Sequence, residues 1–257
     1  MSRPVLLLFL MSLVSACTRF IPPPAPLSTP AVSPEEAWAR VLQRAVDAQG
    51  RVNFSLLARD RTDLERYLAY VAAVSPQSHP TVFLTRWHVL AYHINTYNAL
   101  AMYAVLAHRI PVALNSFPKR ARFFKFTAYQ IGGAKISLYD YENDVIRPLG
   151  EPRVHFALNC MASSCPRLPR VPFQATSLDQ QLTDAAAEFF NSAKHVQVDT
   201  TKRIVYFSEI LRFYMKDFIN AGVAPSLIAY ANQYRQQPIP EEFKVVFIPY
   251  DWTIYTQ

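Results

Sequence analysis

Residues 80–108 constrain this chain more than any other stretch. Phe83, Trp87, Leu90, Ile94, Tyr97, Ala101 and Val105 recur there every three or four residues, and so broad an apolar stripe belongs to the central core helix of a domain. Upstream, residues 35–48 repeat the period, with Ser33-Pro34 as a start signal and Gly50 as a stop, and residues 61–74 give another helix ended by Ser75-Pro76. Downstream the period changes. "RFFKFTAYQIGGAKISL" sets aromatic and β-branched residues on either side of Gly132-Gly133, a hairpin signal. "RVHFALNC" reads as a short buried strand, residues 178–191 as a helix, and "HVQVDTTKRIVYF" as a second hairpin. Helical segments are expected over 208–218 and 225–234, and "FKVVFIPYDW" closes the chain as a strand. Helices first, antiparallel strands later and no regular βαβ alternation predict an α+β fold. Its helical N-terminal half, with one long core helix, would pack on a mostly antiparallel sheet in the C-terminal half.

The first twenty residues, "MSRPVLLLFLMSLVSACTRF", hold one positive charge, an apolar run from Val5 to Val14 and small residues before Cys17. That is the layout of a bacterial secretory signal. The run is too short for a bilayer core, which needs roughly 20 residues. Val-Ser-Ala-Cys resembles the lipobox of bacterial lipoproteins, which makes Cys17 the expected acylation site and mature N-terminus; an ordinary signal with an incidental cysteine is the alternative. Thr18, rather than aspartate, favours the outer membrane. "IPPPAPLSTPAVSP" is proline-rich and uncharged and reads as an extended spacer. The expected organisation is a signal peptide over 1–16, a lipidated cysteine and Pro-rich tether over 17–34, and a single globular domain over 35–257. The product would be an outer-membrane lipoprotein facing the periplasm.

Removing residues 1–16 takes away Arg3 alone, so the formal net charge falls from +7 to +6. The excess is scattered apart from a cluster in "PKRARFFKF", read as a solvated edge, with contact to anionic lipid or glycan as the alternative. No nucleic-acid motif accompanies the charge.

The candidate chemistry lies in residues 154–168, "VHFALNCMASSCPRL". Apart from Cys17, Cys160 and Cys165 are the only cysteines. In an oxidising compartment such a pair tends to form a disulfide, although closing so short a loop stabilises little. A zinc site would recruit His155, but two thiols and one imidazole leave the ligand set incomplete, so neither metal nor other cofactor is expected. The spacing also departs from the C-x-x-C of poised redox thiols.

As a nucleophile, Cys160 would end the strand at a loop of small residues whose amides could line an oxyanion site. His155 is the candidate base. An odd offset puts the two side chains on opposite faces of a straight strand, so a direct pair needs a bulge or turn, and Cys165 could meet His155 instead. Glu142, on a short helix with Arg147, would orient the histidine as the third group of a hydrolase triad does; an internal Glu142–Arg147 ion pair is the alternative. Asn95 and Asn98, if buried on the long helix, must be hydrogen-bonded, to a histidine, a substrate backbone or a neighbouring loop. His88, His93 and His108 read as hydrogen-bonded or exposed side chains.

"AYHINTYNAL", "GGAKISLYDYENDVIR", "VHFALNCMASSCPRL" and "PYDW" occur in the order seen in the domain-of-unknown-function 547 family, which the chain resembles from about residue 50 to its end. "GRVNFSLL" and "YFSEILRFYMKDF" fit too. The resemblance implies a lipid-anchored bacterial member of a family with no settled activity. It also implies that Asn95, Asn98, Glu142, Arg147, His155, Asn159, Cys160, Ser164 and Cys165 fall on motif positions. Three departures stand out: His93 replaces a usual aromatic residue, Met161 a usual glycine, and Asn143-Asp144 a usual His-Gly.

The expected function is a thiol-dependent hydrolase or acyl-transferase acting on peptide or amide substrates in the bacterial cell envelope. Cys160 would be its nucleophile, His155 its base and Glu142 or Asn159 the orienter, with Asn95, Asn98, Arg147, Ser164 and Cys165 about the substrate. The alternative is a non-enzymatic envelope lipoprotein that binds a protein or glycan partner, with Cys160–Cys165 as a structural disulfide.

Overall fold

A computed structural model describes residues 18–25, 32–220 and 222–257. The signal segment, Cys17 and part of the Pro-rich stretch lie outside the described residues. The fold is mixed helix and sheet, with helices in the N-terminal half and strands concentrated later.

Chain-order logic holds well in the helical half. Helix α1 (Pro34–Ala45) begins where Ser33 Oγ accepts the Glu36 amide and Pro34 supplies a preset φ. It buries Trp38, Val41 and Leu42. Helices α2 (Phe54–Arg59) and α3 (Thr62–Ala73) follow. The long segment breaks once: a single 3-10 turn, Pro80–Val82, precedes helix α4 (Arg86–Ala107), which is capped by Thr85 Oγ1. From Leu90 to Met102 every residue of α4 is buried, so helix α4 is enclosed on all sides and not only along the expected stripe.

Beyond α4 come helix α5 (Phe117–Arg120), continued by a π-helical turn over Ala121–Lys125, and strands β2 (Thr127–Ile131) and β3 (Ala134–Ser137). The glycine hairpin forms as expected, with Gly132 at φ 56 and Gly133 at φ 87, the left-handed pair of a two-residue turn. A Cβ on Gly132 would lie 2.1 Å from Ser75 Oγ, so this position excludes any side chain. Short helix α6 (Leu138–Asp140) runs into a π-helical turn, Tyr141–Ile146. Helix α7 (Leu178–Asn191), strands β4 (Val196–Asp199) and β5 (Ile204–Ser208), helices α8 (Ile210–Phe213), α9 (Met215–Phe218) and α10 (Leu227–Asn232), and strand β6 (Lys244–Ile248) complete the order. The sheet is divided in two, and each half joins one antiparallel hairpin to one parallel neighbour.

Just before the Pro-rich stretch, Arg19–Phe20 forms strand β1, parallel to β2, with Ile21 buried. One expectation is corrected. "RVHFALNC" is not a strand but a 3-10 helix, Pro152–Phe156, followed by irregular chain. Pro152 fits the first turn, and Glu151 caps it by accepting the Arg153 amide. Val154, Ala157 and Leu158, at i, i+3 and i+4, then join the α4 core, while Phe156 points into a second core with Phe189, Phe190 and Phe218. An apolar run this short fits either period, and here the winding decides which core each side chain enters.

Candidate functional site

A cleft of about 830 Å³ opens between the 117–126 segment, the 139–147 turns, α8 and the C-terminal chain. Cys160 and Cys165 line it, their sulfurs 3.0 Å apart and unbonded. Tyr250 Oη lies 3.4 Å from Cys160 Sγ and 3.1 Å from Cys165 Sγ, and the Cys160 amide donates to Cys165 Sγ at 3.2 Å. Burial pushes the Cys165 thiol up. Hydrogen bonds from Cys160, Tyr250 and the Ala162 and Cys160 amides outweigh it and bring Cys165 down to about 7. Cys160 moves well up, because its thiol proton is donated to Cys165 and its sulfur is buried. The pair therefore shares one proton near neutrality, and Cys160, the more exposed of the two, faces the cleft.

The backbone around the thiols is fixed from both sides. Asn98, on α4, donates to the Ala157 carbonyl at 3.0 Å and accepts the Asn159 amide at 2.7 Å. Asn159 in turn donates to Pro166 O and accepts the Met161 amide. From the other side, Ser163 N bonds Thr253 O, Ser164 N bonds Asp251 O, and Tyr255 N bonds Met161 O. Met161 sits at φ 68, in the left-handed region that disfavours a non-glycine residue.

His155 does not serve Cys160. Its Nε2 bonds Asp217 Oδ2 at 2.8 Å, its ring stacks on Tyr214 at 3.9 Å, and its buried Nδ1 has no partner among the described residues. Arg147 grips the same carboxylate with two hydrogen bonds, of 2.7 and 2.8 Å. Partial burial pushes Asp217 up, but Arg147 and His155 together hold it well below the usual carboxylate range. The carboxylate that orients His155 is thus Asp217, not Glu142.

Glu142 is buried at 8 % exposure, lines the cleft beside the Tyr97 and Tyr214 hydroxyls, and does not form the expected ion pair with Arg147, which pairs with Asp217 instead. The charge of Glu142 bears on Tyr97 and Tyr214, whose hydroxyls are raised by burial first and by this carboxylate second. Glu142 is a cleft-lining acceptor with no direct ion pair among the described residues, and its charge reaches Arg147 across the cleft.

Residues 82–190 match the family model described as a protein of unknown function, DUF547. The match covers less than half of the chain. It runs from the 3-10 turn before α4 nearly to the end of α7, and so carries Asn98, Glu142, His155, Cys160 and Cys165. No curated protein and no solved structure matches the chain.

Within the DUF547 segment the expected site residues divide. Cys160, Cys165, Glu142, Arg147 and His155 line one cleft. Asn98, Asn159 and Ser164 act on the loop beneath it, the last through Ser164 Oγ, which accepts the Asp251 amide at 2.8 Å. Asn95 serves elsewhere: Asn95 Oδ1 accepts Trp38 Nε1 and the Phe173 amide, and Asn95 Nδ2 donates to Phe173 O. His93 is a buried core histidine bonded through Nδ1 to Tyr141 Oη at 2.7 Å. Asp217 and Tyr250 went unassigned in the sequence and lie outside the DUF547 segment, in "YMKDF" and "PYDW". Nothing local marks them, because their partners are 62 and 85 to 90 residues away.

Proposed function

We propose that the cleft is the active site of a thiol-dependent hydrolase or acyl-transferase acting on peptide or amide substrates in the bacterial cell envelope. The observation that carries the reading is the thiol pair: a cleft-facing thiol 3.0 Å from a second thiol that its hydrogen bonds bring down to about 7. Cys165, as thiolate, is the base, the role expected of His155 from the sequence. Cys160 Sγ attacks the acyl carbon and passes its proton to Cys165, which hands it to the departing amine nitrogen. Water or an acceptor nucleophile then attacks the thioester and gives a proton to Cys165, and Cys160 leaves as thiolate and takes that proton back. Glu142 accepts an N–H of the bound amide, and Tyr250 Oη donates to the thiolates. His155, Asp217 and Arg147 hold Tyr214 in the cleft wall.

A direct test is the pH dependence of Cys160 alkylation by iodoacetamide, together with acylation by p-nitrophenyl acetate read by intact mass. Reduced protein should gain reactivity with a midpoint near pH 7. Cys165→Ser should remove that step, and His155→Ala should leave its midpoint in place. Unchanged alkylation in Cys165→Ser would rule out the base assignment. The 3.0 Å approach also favours a second reading, closure into a disulfide that braces a partner-binding loop. In that case protein isolated without reductant shows no free thiol at these positions, and Cys160→Ser with Cys165→Ser loses stability and no activity.

We further propose attachment to the periplasmic face of the outer membrane through lipid on Cys17. Cys17→Ser should shift the protein from the membrane to the soluble fraction or block its processing. A processed Cys17→Ser protein that stays with membranes would refute the anchor.

A further inference from the structure

Among the described residues nine large apolar side chains are well exposed, and four of them, Phe117, Phe126, Tyr139 and Phe213, ring the mouth of the thiol cleft. Scattered exposed apolar residues need no explanation, but a cluster about one opening does. Phe117 is 75 % exposed and Tyr139 51 %. The segment that carries Phe117 and Phe126, "FPKRARFFKF", has four cations and no acid; its Lys119 and Arg122 are exposed, while its Lys125 is paired with Asp140. Aromatic side chains interleaved with lysine and arginine suit the interface of a bilayer with anionic headgroups.

The path of the chain supplies an independent argument. The Arg19 amide donates to Phe126 O at 2.9 Å, so strand β1 starts on this rim. Cys17 is two residues upstream, and at roughly 3.5 Å per residue it reaches no more than about 7 Å beyond Arg19. The apolar run Val5–Val14 precedes it closely. Prolines 22–24, 26 and 30 follow β1 and give this end no added reach.

We infer that the mouth of the cleft rests on an anionic lipid bilayer, with Phe117, Phe126, Tyr139 and Phe213 in the interface and Lys119 and Arg122 against the headgroups. The inference rests on the Cys17 anchor proposed above and is independent of the thiol chemistry. The test uses the full, processed chain in phosphatidylcholine vesicles with and without phosphatidylglycerol. Surface amines are acetylated with a water-soluble succinimidyl ester and read by mass spectrometry. Lys119 should be modified several-fold more slowly on phosphatidylglycerol vesicles than in detergent, while Lys202 and Lys244 keep their rates. Phe117→Asp, at an exposed position, should restore Lys119 labelling with the thiol titration unchanged. Equal labelling of Lys119 in vesicles and detergent would overturn the inference and leave the anchor standing. Failure of the chain to sediment with vesicles would overturn both. Protection of Lys119 in native envelopes but not in lipid vesicles would assign the rim to a protein partner and overturn the bilayer.

Discussion

Asn98→Ala should cost roughly 2–5 kcal/mol of stability and disable the thiol pair at the same time. Asn98 is 1 % exposed and makes two hydrogen bonds to backbone on either side of Leu158. Alanine leaves the Ala157 carbonyl and the Asn159 amide without these partners in a dry interior, each at about 1–3 kcal/mol. Asn159 then loses the contact that places it, and with it the restraint on Pro166 and Met161 that brings Cys165 back against Cys160. Asn98→Asp is the sharper variant. It keeps an acceptor for Asn159 but turns an oxygen toward the Ala157 carbonyl, so it should be no better than alanine. Urea midpoints by circular dichroism give the stability, and iodoacetamide rates against pH give the thiol. A variant that loses stability yet alkylates with its midpoint still near pH 7 would show that the loop does not depend on Asn98.

Stability should also begin to fall at a higher pH than carboxylates alone would dictate. His93 and His195 are buried, at 1 % and 4 % exposure, and burial lowers them from 6.5 to about 4 and about 3. Lys194 pushes His195 in the same direction. The unfolded chain therefore takes up these two protons first. Their contribution is complete above about pH 6.5 and declines as the pH falls toward the folded values, by about 1.4 kcal/mol per pH unit for each histidine. Asp60 and Asp217, lowered by their arginine partners, add losses in the same direction only below about pH 4. Against a total of about 5–15 kcal/mol, two histidines are enough to unfold the domain in mild acid. His93→Phe with His195→Phe should flatten the urea midpoint between pH 6.5 and 4.5. A double variant that declines as steeply as the parent would assign the acid transition to other groups.

Local signals in the sequence reached the elements that local chemistry decides. Ser33-Pro34 starts α1, Gly132-Gly133 turns the first hairpin, and the apolar density of residues 80–108 marks the core helix. The site was legible as a neighbourhood, with Cys160, Cys165 and Glu142 on one cleft. Their partnerships were not. His155 lies five residues from Cys160, but the 3-10 winding after Pro152 turns the imidazole toward Asp217 instead. Tyr250 reaches both sulfurs from near the end of the chain, where a strand pattern says nothing of what its last residues touch. Met161 is the clearest trace in the other direction: a position where the resembling family uses glycine proves to have φ 68.

The same C-terminal chain has a consequence for how the protein comes to be made. Thr253, Ile254 and Thr256, just beyond Tyr250, form bridges to Ala113, Ala162 and Val52, so the pocket is closed by contacts with segments far upstream in the sequence. Such distant contacts form late and slowly. A nascent chain delivered N-terminus first would present both cysteines before the tyrosine and the backbone that cradle them exist. Until residues 250–257 are in place, Cys160 and Cys165 lack the tyrosine hydroxyl and the backbone that flank them in the folded chain.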